Sequence, residues 1–394
     1  MTWQILQGDN RDTLKTLADN SVDAIVTDPP YGIDFLGKAW DANTGALETY
    51  QECLRVLKPG GHILAFSAAR TYHHLAVTLE QAGFEIRDQI MWIYSSGFPK
   101  SQDIGRSIQR SLGVEEYEEF IDTTKNAGFG QMDVARQKVG QEWSTKETQV
   151  GKAKVTDPEA KQWEGWGTAL KPAHEPIALA RKPMKISIAK NCQTHGVGAL
   201  NIDACRVPMA EGDKFDIRVY NENQNNEKRD TELTDIEYGE YIIQQPNELG
   251  RFPSNVIGEI LQADYQKYFY CPKVSRRERH IGYDIGNERF DKSNGEWAKG
   301  DHQQNNNKGN NHPTVKPIEL MQYLIKLITP PGGTVLDPFN GSGSTGCAAV
   351  ELGFNYIGCE LDPAYVAITE KRITAWLNRD HADNTFGDLF YVEQ

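Results

Sequence analysis

The amino-terminal third of the chain alternates short apolar runs with amphipathic stretches. Trp3–Gln7 reads as a first strand, ended by Gly8-Asp9-Asn10, and Thr13–Leu17 as a short helix. Val22, Ala24, Ile25 and Val26 lack polar alternation, the mark of a parallel strand buried on both faces, so a strand is predicted over Val22–Thr27. Leu47, Tyr50, Leu54 and Leu57 fall at helical spacing, and Lys58-Pro-Gly-Gly61 stops that helix. His62–Ser67 is a further buried strand, Tyr72–Gln81 a helix closed by Gly83, and Ile86–Tyr94 another strand. Such regular alternation predicts a parallel sheet with helices on both faces.

The same grammar returns near the carboxyl end. Ile318, Met321, Leu324, Ile325 and Ile328 form one stripe of a predicted helix over Ile318–Thr329. A strand ending at Asp337, a glycine-rich loop, a helical pattern over Gly346–Leu352 and a second strand ending at Glu360 follow. Within Leu170–Pro183, the pattern at Ile177–Ala180 reads as an antiparallel strand returning to the sheet. Residues 100–169 and 184–311 are richer in Gly, Asn, Gln and charge, and Gln303–Asn311 is a polar low-complexity stretch.

Two motifs carry chemistry. Asp28-Pro-Pro-Tyr31 lies just past the buried strand, since two prolines cannot continue a sheet. In open α/β sheets that edge is where ligands bind. Asp28 offers carboxylate oxygens, Pro29 and Pro30 offer backbone carbonyls with no N–H of their own, and Tyr31 adds a stacking face. This set suits holding an amino group on a flat base. Thr334–Thr345 then reads Thr-Val-Leu-Asp-Pro-Phe-Asn-Gly-Ser-Gly-Ser-Thr, a strand, glycine loop and helix start. Gly341 and Gly343 allow close backbone approach, and the helix start offers free N–H groups. Glu360, at the end of the next strand, suits neighbouring ribose hydroxyls. The loop alone does not separate a dinucleotide from S-adenosylmethionine, and a dehydrogenase remains a reading of it. It does lack the full Gly-x-Gly-x-x-Gly spacing.

Length and charge bound the picture. With 394 residues the chain can hold a large α/β domain and an insertion. No signal peptide or membrane span is expected, and six scattered cysteines, never Cys-x-x-Cys, suit a cytoplasmic protein without a zinc site. The net charge of -13 argues against nucleic acid if read as one number. Its distribution is uneven. Residues 181–210 carry five basic groups against one acidic, 211–264 five against thirteen, and 265–310 nine against six. The last island contains Tyr268–Arg279, where aromatics precede a basic cluster, so Lys273, Arg276, Arg277 and Arg279 are candidate DNA-backbone contacts.

Asp-Pro-Pro-Tyr paired with Asp-Pro-Phe-x-Gly-Ser-Gly resembles the β class of DNA amino-methyltransferases, which act on N6 of adenine or N4 of cytosine. The resemblance covers residues 1–100 and 312–380 and, in part, Leu170–Pro183. It implies a circularly permuted Rossmann-like methyltransferase sheet that uses S-adenosylmethionine, with the catalytic motif ahead of the cofactor motif. The expected division is a catalytic half at 1–99, an insert at 100–169, a returning strand at 170–183, a target-recognition region at 184–311 and a cofactor half at 312–394.

By the same resemblance Asp28, Pro29, Pro30 and Tyr31 are catalytic. Asp9 meets the cofactor's adenine, and Thr314 and Lys316 of His312-Pro-Thr-Val-Lys-Pro317 meet its methionine end. Asp337, Phe339, Gly341, Ser342, Gly343 and Glu360 complete the cofactor set. No metal is expected. An aspartate at the first motif position implies adenine in duplex DNA, with a homodimer and a restriction endonuclease as candidate partners. N4-cytosine methylation, RNA amino-methylation and a non-catalytic DNA-binding module are the competing readings.

Overall fold

The computed structural model describes residues 1–33, 43–94, 101–114, 117–122, 149–208, 217–220, 241–244, 248–258, 274, 276–283 and 309–379. Lys273, most of Gln303–Asn311 and much of the acidic middle lie outside the described residues. The chain divides into two compact units, one of residues 1–95 with 174–394 and the other of 96–173.

The larger unit opens with β1 (Trp3–Gln7), α1 (Asn10–Thr13) and β2 (Val22–Thr27). It continues through α2 (Leu47–Val56), β3 (Leu57–Phe66), α3 (Tyr72–Ala82) and β4 (Glu85–Ile93). In the smaller unit α4 (Ile104–Ser111), β5 (Tyr117–Asp122), β6 (Gln149–Lys154) and α5 (Pro158–Lys161) follow, with β5 and β6 paired antiparallel. There the buried amide of Gln109 accepts from the Thr156 and Asp157 amides. Asp103 and Asp157 cap the two helices.

The chain re-enters the larger unit with β7 (His174–Arg181), α6 (Ile188–His195), a β8–β9 pair (Ile217–Tyr220 and Tyr241–Gln244), β10 (Val256–Gly258) and α7 (Arg276–Arg279). It ends with α8 (Ile318–Ile328), β11 (Thr334–Asp337), α9 (Ser344–Glu351), β12 (Asn355–Glu360) and α10 (Pro363–Leu377). One eight-stranded sheet runs in the order β1-β12-β11-β2-β3-β7-β4-β10. Only β7 is antiparallel to its neighbours in it.

The order of strands is that of a permuted sheet. The late strands β11 and β12 are seated between the early strands β1 and β2. Every residue of β2 is buried, as its unbroken apolar run predicts. Alternation then assigns faces. Ala24, Val26, Leu64 and Phe66 pack with α8, α9 and the end of α10. Ile25, Ile63 and Ala65 pack with α2 and α3. Val22 joins the second face out of period with Ala24 and Val26, at the start of β2 where β3 carries the extra residues between Leu57 and His62.

The first helix lies at Asn10–Thr13, ahead of the expected Thr13–Leu17, and the junction of α2 with β3 also differs from the sequence pattern. The helix predicted to run to Leu57 ends at Val56, and Leu57 already pairs with Val22 in β3. The strand carries Lys58-Pro-Gly-Gly61 through the turn because Gly60 takes φ +79°, which folds the backbone toward Lys182. Among the described residues no helix is long and apolar enough to cross a membrane.

Candidate active site

The parallel strands deliver their carboxyl ends to one edge, so residues far apart in sequence meet there. Asp28 follows β2, Asp337 ends the neighbouring β11, Glu360 ends β12, and Asp9 follows β1. Hydrogen bonds tie these ends together. The Thr27 hydroxyl donates to Asp337 Oδ1 at 2.7 Å, and the Gly341 amide donates to Glu360 Oε2 at 2.7 Å.

Asp337 is enclosed. Besides Thr27 it accepts from the Thr345 hydroxyl at 2.6 Å and the Phe339 amide at 3.1 Å. Burial lifts its carboxyl to about 6 despite these donors. It therefore shapes the glycine loop from beneath. Glu360 accepts from the Gly341 and Asp362 amides, and burial lifts it to about 7.

The loop itself is braced from α10. Gly343 takes φ +79°, and a Cβ there would come within 2.6 Å of the Thr369 side chain. The wholly buried Arg372 donates to the Ser342 carbonyl at 2.5 Å and to its hydroxyl at 3.2 Å. Asn340 donates to Thr369 Oγ1 and accepts from the Tyr356 hydroxyl, both at 2.8 Å. Asn340, Thr369 and Arg372 were not singled out from the sequence. An arginine inside the apolar pattern of a helix capped by Asp362-Pro363 is the signal that marks the last of them.

Around Asp28 the structure gathers a compact charged cluster. Lys316 Nζ lies 2.6 Å from Asp28 Oδ2, 3.0 Å from the Tyr31 hydroxyl and 3.4 Å from Glu175 Oε2. The same ammonium stands over the Phe66 and Tyr31 rings, at 4.9 and 5.3 Å from their centroids. The Tyr31 hydroxyl lies 2.8 Å from both Asp28 Oδ1 and Glu175 Oε2, so its one proton serves one carboxylate at a time. Burial pushes Asp28 above the usual carboxylate range, outweighing the pull of Lys316, and Glu175 adds to the rise. Burial by itself would lower Lys316, but the two carboxylates more than offset it and hold the ammonium charged. Tyr31 is driven well above its ordinary value by burial and by both acids.

Other expected site residues fall as follows. Lys316 was expected at the cofactor's methionine end, and its ammonium instead rests on Asp28 and Glu175. Thr314 donates its amide to His312 Nδ1 at 3.3 Å. His312, held uncharged with a pKa of about 3 by burial, packs its ring edge-on against Tyr365 and close to Gly341. Asp9 caps α1 and pairs with Arg11 at 2.6 Å, and that hydrogen bond lowers its pKa. Phe339 sets its ring against Tyr50, with centroids 6.2 Å apart.

The basic cluster needs a correction. Arg279 was expected on DNA phosphates, yet its guanidinium turns inward and donates to the carbonyls of His312 at 2.6 Å and Pro313 at 3.2 Å. It anchors the start of the His312–Pro317 segment through these two carbonyls. Arg276 and Arg277 lie on the backbone of α7, with side chains outside the described residues.

The motif order and this geometry agree with a comparison against known proteins. The DNA methylase family model, N6_N4_Mtase, matches residues 22–371. The chain belongs to this family. It is 24% identical over an alignment of 415 residues to the type II methyltransferase M.HindIII of Haemophilus influenzae, covering 94% of each chain. A local stretch of 64 residues is 48% identical to the methylase YubD of Escherichia coli K12, spanning 16% of this chain and 28% of that one. Among solved structures, the M1.HpyAVI complex with S-adenosylmethionine aligns over 94% of this chain and 100% of its own, at 17% identity and TM-score 0.40. The protein is a DNA methyltransferase of the N6/N4 family, and its cofactor is S-adenosylmethionine.

The residues present fit that cofactor. Two carboxylates, Asp337 and Glu360, hold the glycine loop and a third, Asp28, follows the neighbouring strand, a setting that disfavours the anionic diphosphate of a dinucleotide and favours a cationic sulfonium. Glu360 keeps lone pairs for ribose hydroxyls beyond its two amides, and Phe339 offers a flat apolar face.

Proposed function

We propose that this methylase transfers a methyl group to the N6 amino group of adenine at specific sites in duplex DNA. The observation that carries the reading is a nitrogen already resting on Asp28. The Lys316 ammonium sits 2.6 Å from the carboxylate and faces the Tyr31 and Phe66 rings. A base amine needs the same neighbours, an anionic acceptor beside aromatic faces. Aspartate at the first motif position supports adenine over cytosine.

An exocyclic amine is a poor nucleophile because its lone pair is delocalised into the ring. Asp28 and the Pro29 carbonyl would accept its two hydrogens and favour a pyramidal nitrogen, which is stabilisation directed at the transition state. When bound, S-adenosylmethionine supplies an electrophilic methyl on a sulfonium centre. Asp9, Phe339, Glu360, Thr314 and the backbone of Gly341, Ser342 and Gly343 would hold it, with Asp337 fixing the loop. Asp28 and the Pro29 carbonyl would keep the nitrogen lone pair turned toward that methyl, which would leave its bonding electron pair on sulfur. Asp28 stabilises the positive charge left on nitrogen until the proton departs.

The target atom is stacked inside the duplex, so the base must be turned out, at a cost of roughly a few kcal/mol. Stacking on Tyr31 returns about 1 to 3 kcal/mol of it. Full-length likeness to a type II methyltransferase supports sequence-specific modification alongside a restriction endonuclease. The parts of 184–311 outside the described residues, together with Lys273, Arg276 and Arg277, are the candidates for reading and gripping DNA. Expression in a methylation-deficient host followed by sequencing of modified bases tests the proposal. N6-methyladenine at a recurrent site is expected. N4-methylcytosine would move the assignment to the other base, and methylation confined to RNA would overturn the DNA reading.

A further inference from the structure

Glu175 belongs to no motif in the sequence, yet it is the second carboxylate of the cluster around Asp28. It opens the antiparallel strand β7 in the run Ala-His-Glu-Pro, paired in register with Trp92 of β4. The neighbouring Pro176 carbonyl accepts from the Ser67 amide at 2.9 Å, which fixes the strand start against β3. The Tyr94 hydroxyl, just past the end of β4, bonds Glu175, and the Tyr31 hydroxyl reaches it at 2.8 Å. Its side chain is 18% exposed and that of Lys316 is 8% exposed, so both charges are largely withdrawn from water.

The charges in this pocket do not cancel. Two carboxylates, Asp28 and Glu175, face one ammonium, Lys316, so the described residues of the pocket hold one more acid than base. Among the described residues, the other titratable groups facing the cluster add no cation. Tyr31 and Tyr94 are driven up and stay neutral, His312 is held uncharged, and Asp337 beyond them is an acid. If Glu175 were absent, Lys316 and Asp28 would neutralise each other. A target amine turning cationic would then meet a cancelled pair, with an ammonium 2.6 Å from its charged acceptor.

We propose that Glu175 is the counter-ion of Lys316 in the working enzyme, leaving the negative charge of Asp28 for the positive charge that develops on the target amine. Glu175 also gives the ammonium somewhere to go. It already lies 3.4 Å away, so Lys316 can close onto Glu175 as the amine takes its place on Asp28. Surplus charge set in place before the reaction costs no reorganisation when the cation forms. Glu175 touches neither substrate nor cofactor in this scheme and is a positioning residue. The proposal rests on the reading of Asp28 as the acceptor of the amine.

The test is steady-state methylation of duplex DNA by the full chain, with S-adenosylmethionine affinity measured by calorimetry. Glu175→Gln should lower kcat on the order of 10- to 100-fold, the scale of one unit charge acting over roughly 6 to 12 Å at an effective dielectric near 20. Both KM values should stay within a few-fold. Glu175→Asp, which keeps the charge, should retain most of kcat. Adding Lys316→Met to Glu175→Gln should raise kcat above that of Glu175→Gln alone, because the surplus charge is restored.

A Glu175→Gln enzyme as fast as the parent, or a double variant slower than Glu175→Gln, overturns the proposal. Lys316→Met alone gives a route that needs no Glu175 variant. Two carboxylates without their ammonium share a proton, so the acid limb of the kcat profile should move to higher pH, and an unmoved limb also overturns it. Asp28→Ala separates the two readings. Residual methylation there defeats the assignment of the amine site. An inactive Asp28→Ala beside a fully active Glu175→Gln defeats only the role of Glu175.

Discussion

Asp28 and Asp337 sit at the ends of adjacent parallel strands, β2 and β11, and the protein treats them in opposite ways. Asp337 is met by two hydroxyls and an amide, all uncharged and all supplied by the loop and strand it holds together. Asp28 is met by an ammonium and a hydroxyl that each have a second carboxylate to turn to. A group whose donors have no alternative is architectural. A group whose donors can leave is available for chemistry. The contrast is visible only because the sheet brings both acids to one edge, where sequence distance no longer matters.

Removing Asp28 should break the contrast on the side of activity. Asp28→Ala is expected to lower turnover by about 10³-fold or more, the upper scale for losing one preorganised transition-state contact. Affinity for S-adenosylmethionine should remain within a few-fold, by calorimetry. The fold should persist because Lys316 keeps Glu175 as a partner, so the buried ammonium is not left alone. A variant with parent turnover would remove Asp28 from the chemistry.

Removing Asp337 should break it on the side of stability. Asp337→Ala leaves the Thr27 and Thr345 hydroxyls without their acceptor in a buried place. The expected loss is roughly 2 to 4 kcal/mol, read from denaturant unfolding. Asp337→Asn keeps one carbonyl acceptor and should lose less. If both variants unfold at the parent midpoint, the enclosed acid has no architectural role.

A third acid, Glu360, sharpens the comparison through pH. Asp337 and Glu360 hold their protons to about 6 and about 7 when folded, above the ordinary carboxyl range. As pH rises the unfolded chain loses these protons first. The folded state then binds more protons, so the stability of the cofactor-free protein should fall from about pH 4 to about pH 7. Cofactor affinity should run the other way, because the ionised Glu360 is the better acceptor for ribose hydroxyls. Calorimetric Kd is expected to weaken by up to about tenfold per pH unit below 7, and Glu360→Gln should flatten that slope. A slope unchanged in Glu360→Gln would detach Glu360 from the cofactor.

How far the sequence reads the site follows from what local pattern encodes. Burial on both faces is written into Val22–Thr27, and the glycine loop announces itself by residues that tolerate its backbone. The reversed order of the two motifs already implies that late strands sit between early ones, as β11 and β12 do. What escaped are relations set by tertiary contact. Lys316 and Asp28 are 288 positions apart, and nothing near either predicts their meeting. Arg279 looks like a surface cation because its partners are backbone carbonyls, which have no sequence signature. Glu175 and Arg372 sit beside other polar residues in sequence, and only the fold shows what each one faces.

The smallest expected effect probes the hydroxyl that reaches Asp28. From the motif alone the ring of Tyr31 is its useful part, and Tyr31→Phe should be nearly silent. The structure gives the hydroxyl three neighbours, Asp28, Glu175 and Lys316. Tyr31→Phe keeps the stacking face and removes a donor that either carboxylate can use, a change worth about 1 kcal/mol and thus roughly three- to tenfold in kcat. Tyr31→Ala should cost more, since it also removes the face on which the base rests. Equal losses for the two variants would put the whole effect in the hydroxyl. A silent Tyr31→Phe beside a damaged Tyr31→Ala would put it in the ring, and the two carboxylates would then be bridged by Lys316 alone.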